Sequence, residues 1–226
     1  MKSTQAKQVS ATTGVNSATT GVNPLLERMF DEAATSFNQL SNLGPAVSVF
    51  GTARSRPGNP DYEIAREVGR LLGQAGFSVI TGGGPGAMEA ANRGAVEAGG
   101  TSVGVLIIAE ATWEKGANEY AQVVLDHHDF FTRKLVFLEH SDAFIFMPGG
   151  FGTLDELGEV LTQIQCGTQS RKPVVLVDSS FWTPLVAFMR QQMLTRGYVG
   201  EADFDLLEVV DTASQAVAVV KAAVRK

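Results

Sequence analysis

The sequence predicts an α/β fold with a mostly parallel sheet, and the pattern of its apolar segments carries that prediction. Short apolar segments without polar alternation, such as residues 143–147, alternate along nearly the whole chain with longer segments of helical periodicity. Strands that are apolar on both faces are typical of a parallel sheet covered by helices on both sides. With 226 residues, 44% of them hydrophobic, the chain is long enough for a full core.

Proline, glycine and capping residues mark where the predicted elements begin and end. Pro24 begins the first helix, Gly76 ends the second, Asn59 or Asp61 caps the second, and Thr212 with its neighbour Asp211 caps the last. The predicted strands are 46–50, 77–80, 102–108, 123–125, 143–147, 173–177 and 208–210. The predicted helices are 24–40, 61–75, 88–98, 130–140, one that begins after Thr153, 181–196 and 214–225.

The first 23 residues differ from the rest of the chain. They are polar and contain the repeat ATTGVN at 11–16 and 18–23, a composition that cannot bury a core. We expect residues 1–23 to be a disordered tail and residues 24–226 to form a single domain.

Charge and composition exclude several function classes. The net charge is −6 and the sequence pI is about 5.1, which argues against nucleic acid as a partner. No apolar run reaches ~18 residues, so no membrane span is expected. The single cysteine permits no disulfide within the chain, and no histidine has metal-ligand spacing. We expect a cytoplasmic protein without a metal.

Three glycine- or arginine-bearing loops follow predicted strands, at 51–56, 82–86 and 149–153. The carboxyl ends of parallel strands share one edge of a sheet, so these loops can form one pocket. The third loop runs into a helix start, the arrangement that binds anions. Thr153 and Glu156 have capping-box spacing, which would put Glu156 in the first helical turn.

Neither glycine loop matches a P-loop, and neither has the dinucleotide fingerprint. Two phosphate-type turns with a nearby carboxylate therefore favour a mononucleotide. Simpler interpretations stay open at this point. Glu156 can serve only to close the capping box, Arg133 and Lys134 can be solvated helix charges, and the glycines of 82–86 can serve only the turn.

The segments GGGPGAMEAAN, FFTRK and PGGFGTLDE, in this order and spacing, closely resemble the LOG (Lonely Guy) family over about residues 45–220. That family comprises cytokinin riboside 5′-monophosphate phosphoribohydrolases, often mislabelled as lysine decarboxylases. The resemblance implies a Rossmann-like three-layer sandwich that forms a homodimer or an assembly of dimers. It also implies hydrolysis of the N-glycosidic bond of an adenine nucleoside 5′-monophosphate without any cofactor.

The family's catalytic pair falls on Arg133 and Glu156. Its substrate contacts, together with neighbouring polar residues that we expect in the same pocket, are Arg54, Gly83, Gly84, Gly86, Glu114, Lys134, Gly149, Gly150, Gly152, Thr153 and Asp155. Many plant members have Met-His-x-Arg-Lys where this chain has Phe-Phe-Thr-Arg-Lys, a departure on the base-binding side. The alternative functions are a nucleotide-binding carrier of the same fold and the decarboxylase of the common label. A pyridoxal enzyme would need a Schiff-base lysine, and no lysine here has that context.

Overall fold

The computed structural model of the chain describes residues 23–108 and 116–224. The strands are β1 (Ala46–Phe50), β2 (Ser78–Thr81), β3 (Ser102–Ile107), β4 (Val123–His127), β5 (Ala143–Phe146), β6 (Val174–Val177) and β7 (Leu207–Val210). The helices are α1 (Pro24–Leu40), α2 (Pro60–Gln74), α3 (Ala87–Glu97), α4 (Phe130–His140), α5 (Phe151–Gln165), α6 (Ser179–Phe188) and α7 (Ala213–Val224). The tail expected at 1–23 lies, except for Asn23, outside the described residues.

The strands form one sheet in the order β4-β3-β2-β1-β5-β6-β7, and every pair in it is parallel. Helices α2, α3 and α7 pack on one face, and α1, α4, α5 and α6 supply the core of the other. The predicted α/β sandwich with a parallel sheet is therefore confirmed. No helix among the described residues has both the length and the apolar character of a membrane span.

Most element boundaries agree with the prediction within one or two residues, and Asn59 rather than Asp61 caps α2. The predicted helix 181–196 begins earlier, at Ser179, and changes to a π-helical turn, Met189–Leu194, a few residues after Pro184. The capping box that the sequence predicts for Thr153 and Glu156 occurs instead at the start of α7, between Thr212 and Gln215. Thr212 Oγ1 accepts from the Gln215 amide at 3.3 Å, and Gln215 Oε1 accepts from the Thr212 amide at 3.1 Å.

The predicted start of α5 is wrong. The helix begins at Phe151 with Gly150 as its extended N-cap, so Thr153 is the third helical residue and Glu156 lies in the second turn. A capping box needs a side-chain oxygen at the N-cap, and glycine has none. The capping-box interpretation of Glu156 therefore fails.

The chain changes direction across the sheet between β1 and β5. These strands pair from Val47 with Ala143 to Phe50 with Phe146, so their following loops leave the sheet side by side. The first loop leads to α2 on one face and the second to α5 on the opposite face. Loops that diverge at such a switch point open a crevice beyond the carboxyl ends of the strands.

Candidate active site

A cleft of about 1310 Å³ lies at this switch point. Its walls come from the loop after β1, the end of β3, α4, the start of α5 and the start of α6. The predicted site residues that line it are Arg54, Arg133, Lys134, Gly149, Gly150, Gly152, Thr153, Asp155 and Glu156. The structure therefore brings residues from three distant segments of the chain to one pocket.

Arg133 is a buried residue of α4, with 5% of its surface exposed. Its Nε donates to the Val105 carbonyl at 2.7 Å and its Nη2 to the Gly82 carbonyl at 3.1 Å. The guanidinium carbon lies 5.7 Å from the centre of the Phe137 ring. The interpretation of Arg133 as a solvated helix charge is wrong, because a guanidinium held by two carbonyls and an aromatic ring is a fixed positive charge in the cleft wall.

Gly82, expected from the sequence only as a glycine of the turn 82–86 and not as a site residue, makes room for that guanidinium. A Cβ at Gly82 would overlap Nη2 of Arg133 and would lie 2.6 Å from the sulfur of Met88. The signal was present in the sequence, as the first glycine of the GGGPG segment. Its function could be recognised only once Arg133 was known to reach that turn.

Glu156 lies half-buried in the second turn of α5 and lines the cleft. Before it, the amide of Leu154 makes the first bond of the helix, to the Gly150 carbonyl at 3.1 Å. The amides of residues 151–153 belong to the first turn, where no carbonyl of the helix can accept from them. Glu156 is thus one turn away from a set of backbone donors that favour an anion.

The glycines at this helix start have two different surroundings. A Cβ at Gly149 would overlap the side chain of Thr153, which is buried, so packing requires glycine there. A Cβ at Gly150 or Gly152 would meet no atom within 4 Å. Both of these line the cleft, so a ligand can approach their backbone closely.

Lys134 and Asp155, both predicted to contact substrate, lie at the cleft wall and form an ion pair with each other. Lys134 Nζ lies 3.3 Å from Asp155 Oδ1 and 3.0 Å from Glu159 Oε2. Burial alone would lower the pKa of Lys134, but the hydrogen bonds to Glu159 and Asp155 outweigh it and raise the pKa overall. The ammonium is therefore held charged between two carboxylates of α5.

The turn that contains Gly83, Gly84 and Gly86 is buried behind the cleft. Of the described residues in this turn, Pro85 alone lines the cleft. Gly83 and Gly86 have φ of +75° and +74°, and added side chains would meet Gly104 and the Thr52 carbonyl. Packing and backbone conformation thus require glycine at both positions. Direct contact of these three glycines with a substrate stays a prediction.

A buried polar network fixes this turn and was missed by the sequence analysis. The Asn118 side-chain amide donates to the carbonyls of Gly83 and Gly84 at 2.9 and 3.1 Å, and to Asn92 Oδ1 at 2.9 Å. Asn92 Oδ1 also accepts from Thr81 at 2.6 Å. Asn92 stands at the end of the GGGPGAMEAAN segment, so its position was visible while its partners, up to 26 residues away, were not.

The remaining lining residues are of two kinds. Arg54, Arg56 and Asp61 are charged, and burial, then the nearby Asp178, raise the pKa of Asp61. Four others are apolar: Met88, Ile107, Phe130 and Phe137. Glu114, predicted to contact substrate, lies outside the described residues. No cluster of His, Cys, Asp and Glu that would suit a metal occurs within 23–108 and 116–224.

The chain is similar to known proteins in both sequence and structure. A family model described as "Possible lysine decarboxylase" matches residues 88–220. A cytokinin riboside 5′-monophosphate phosphoribohydrolase of Mycobacterium tuberculosis is 36% identical over 156 residues, which cover 68% of this chain and 82% of the relative. A protein of the same name from Rhodococcoides fascians is 30% identical over 158 residues, covering 70% and 79%.

Among solved structures, the molybdenum cofactor carrier protein of Chlamydomonas reinhardtii superposes with a TM-score of 0.61. It is 24% identical, and the match covers 80% of this chain and 99% of the carrier. At that identity the likeness supports the fold and carries no argument about function.

Proposed function

Because the chain belongs to the LOG family of cytokinin riboside 5′-monophosphate phosphoribohydrolases, we propose that it hydrolyses the N-glycosidic bond of an adenine-type nucleoside 5′-monophosphate. The products are the free base and ribose 5-phosphate. One observation carries the proposal beyond family membership. The buried cation of Arg133, the carboxylate of Glu156 and the donor-rich start of α5 all lie in the walls of one cleft.

Each of these groups has a distinct task in the reaction. The amides of residues 151–153 hold the 5′-phosphate at the start of α5. Breaking the bond between C1′ and the base leaves positive charge on the ribose, which the carboxylate of Glu156 stabilises. Water adds to C1′ and gives one proton to that carboxylate. The departing base takes up one proton at its ring nitrogen from bulk water, to which the carboxylate returns its proton, so one water is added across the broken bond. Arg133 fixes the nucleotide through charge-assisted hydrogen bonds.

The environment of Lys134 argues against the decarboxylase function of the common label. A lysine that forms a Schiff base must lose its proton, which a lowered pKa favours. Lys134 is the lysine that lines the cleft among the described residues, and its pairing with Glu159 and Asp155 raises its pKa instead. The arrangement therefore opposes pyridoxal chemistry at this position.

The test is a panel of nucleotides analysed by chromatography for released base: AMP, isopentenyladenosine monophosphate, GMP and CMP. We expect free base from the two adenine nucleotides. Glu156→Gln should lower turnover by about 100-fold or more while the thermal unfolding temperature stays at the parental value. Glu208→Gln, an exposed change on β7, is the matched control and should retain parental turnover.

Two results would contradict the proposal. A parent protein that binds AMP without releasing adenine is a carrier, the alternative function. A Glu156→Gln variant with parental turnover would mean that the carboxylate takes no part in the chemistry.

We further propose that the protein works as a homodimer or an assembly of dimers. Support comes from large apolar side chains exposed on the helices of one face: Phe30 of α1 at 73%, Phe131 of α4 at 65% and Phe151 of α5 at 92%. Contiguous exposed apolar patches are typical of protein interfaces, and we expect these side chains to belong to one. Light scattering coupled to size exclusion measures the assembly directly, and a monomer at micromolar concentration would refute it.

We also propose that the protein acts in the cytoplasm, where phosphorylated nucleotides are retained because their charge keeps them from crossing membranes. Fractionation of cells that express the chain, followed by immunodetection, tests this placement.

A further inference from the structure

The helices that carry the two proposed catalytic residues are joined by one side chain. Lys134 is the residue after Arg133 on α4, and its ammonium reaches Asp155 and Glu159 on α5. Asp155 directly precedes Glu156 on α5, and Glu159 lies four residues after Asp155 on the same helix. Residues four apart lie on one helix face, so a single ammonium can contact both carboxylates.

Within this ion-pair cluster of Lys134, Asp155 and Glu159, the pair of Lys134 and Glu159 is the more buried, while Asp155 is exposed. The side chain of Lys134 is 21% exposed and that of Glu159 is 29% exposed, so water screens their attraction only in part. The second oxygen of Glu159 accepts from Gln163 at 2.9 Å. Hydrogen bonds from Gln163 and then Lys134 lower the pKa of Glu159, which keeps both partners charged.

We propose that Lys134 is a positioning residue that clamps α4 to α5 and so fixes Arg133 relative to Glu156, and that it is not a ligand of the substrate. The proposal rests on the proposed function for the roles of Arg133 and Glu156. It replaces the earlier expectation that Lys134 binds substrate, because two of its three N–H donors are already directed at carboxylates. A phosphate at this place would have to compete with both of them.

The geometry offers a variant that separates the two roles. Glu159 does not line the cleft, unlike Lys134 and Asp155, so we expect it to make no contact with a substrate there. Glu159→Gln weakens the clamp yet leaves Lys134 more available to a phosphate. A clamp therefore predicts that Lys134→Met and Glu159→Gln have the same effect, whereas a substrate ligand predicts opposite effects on nucleotide affinity.

For both variants we expect kcat to fall about 5- to 10-fold and KM for AMP to change less than about 3-fold, since a small misplacement of catalytic groups slows turnover more than binding. The double variant should be no slower than Lys134→Met alone, because partners in one ion pair are not additive. Lys134→Arg should recover at least half of the parental kcat. Glu201→Gln, which breaks the exposed 2.6 Å pair with Arg190, is the matched control and should behave as the parent.

Three results would overturn the clamp: parental kcat in Glu159→Gln, independent effects that multiply in the double variant, or AMP affinity that falls more than about 10-fold in Lys134→Met alone. A parent that releases no base fails the proposed function instead. In that case calorimetric titration of AMP still decides the question, because a clamp leaves the Kd of Lys134→Met within about 3-fold of the parent.

Discussion

Replacing Gly82 by alanine tests whether the exact position of Arg133 matters. The backbone of Gly82 is outside the left-handed region, so alanine meets no conformational barrier there. Its Cβ would lie 2.6 Å from Met88 Sδ and would overlap Nη2 of Arg133, while ordinary contacts begin near 3.4 Å. Both side chains must therefore move, Nη2 of Arg133 by roughly 1 Å, and a 1 Å misplacement of a catalytic group costs about 100-fold in rate.

We expect Gly82→Ala to lower kcat about 100-fold, which corresponds to about 2.7 kcal/mol of transition-state stabilisation. The assay is release of adenine from AMP under saturating substrate, with thermal unfolding recorded by circular dichroism. Gly158→Ala is the control, since its added Cβ on the exposed side of α5 meets nothing within 4 Å. Parental kcat in Gly82→Ala would refute the link between this glycine and Arg133.

Three further outcomes follow from packing and protonation. Gly94→Ala should lower the free energy of unfolding by about 1–3 kcal/mol in urea titrations, because its Cβ would overlap the Arg66 carbonyl between α3 and α2. Gly152→Ala should leave that free energy unchanged or slightly raised yet slow turnover at least 10-fold, because its Cβ has space in the protein but would stand at the helix start where we propose that the 5′-phosphate binds. Burial lowers the pKa of His127 and of His140 below the ordinary 6.5, so near that pH the unfolded chain binds protons that the folded chain does not. The free energy of unfolding, measured between pH 5 and 8, should therefore fall as the pH drops below about 6.5. A flat profile would contradict this.

The sheet and its helices were predictable because each strand is apolar on both faces and each helix has proline, glycine or a polar cap at its ends. The start of α5 was not, because it depends on the backbone of Gly150, which adopts an extended conformation without any side-chain signal. Assigning the cap to Thr153 followed the Thr-x-x-Glu capping-box pattern, which places a hydroxyl at the boundary. The burial of Arg133 was equally hidden, since its partners, Val105 and Gly82, lie 28 and 51 residues away in sequence.

The glycines of the loops 82–86 and 149–153 look alike in the sequence but differ in the reason why each position has glycine. Gly83 and Gly149 follow from the protein's own packing, since an added Cβ would crowd Gly104 or Thr153. The sequence cannot separate them from Gly150, where the protein itself leaves open space beside the cleft. A glycine that neither packing nor a positive φ requires needs another reason, and close approach of a ligand to its amide is a sufficient one. Gly150 and Gly152 differ from the equally open Gly158 in that they line the cleft, so we expect the substrate to lie against them, whereas the crowded glycines follow from how the walls pack.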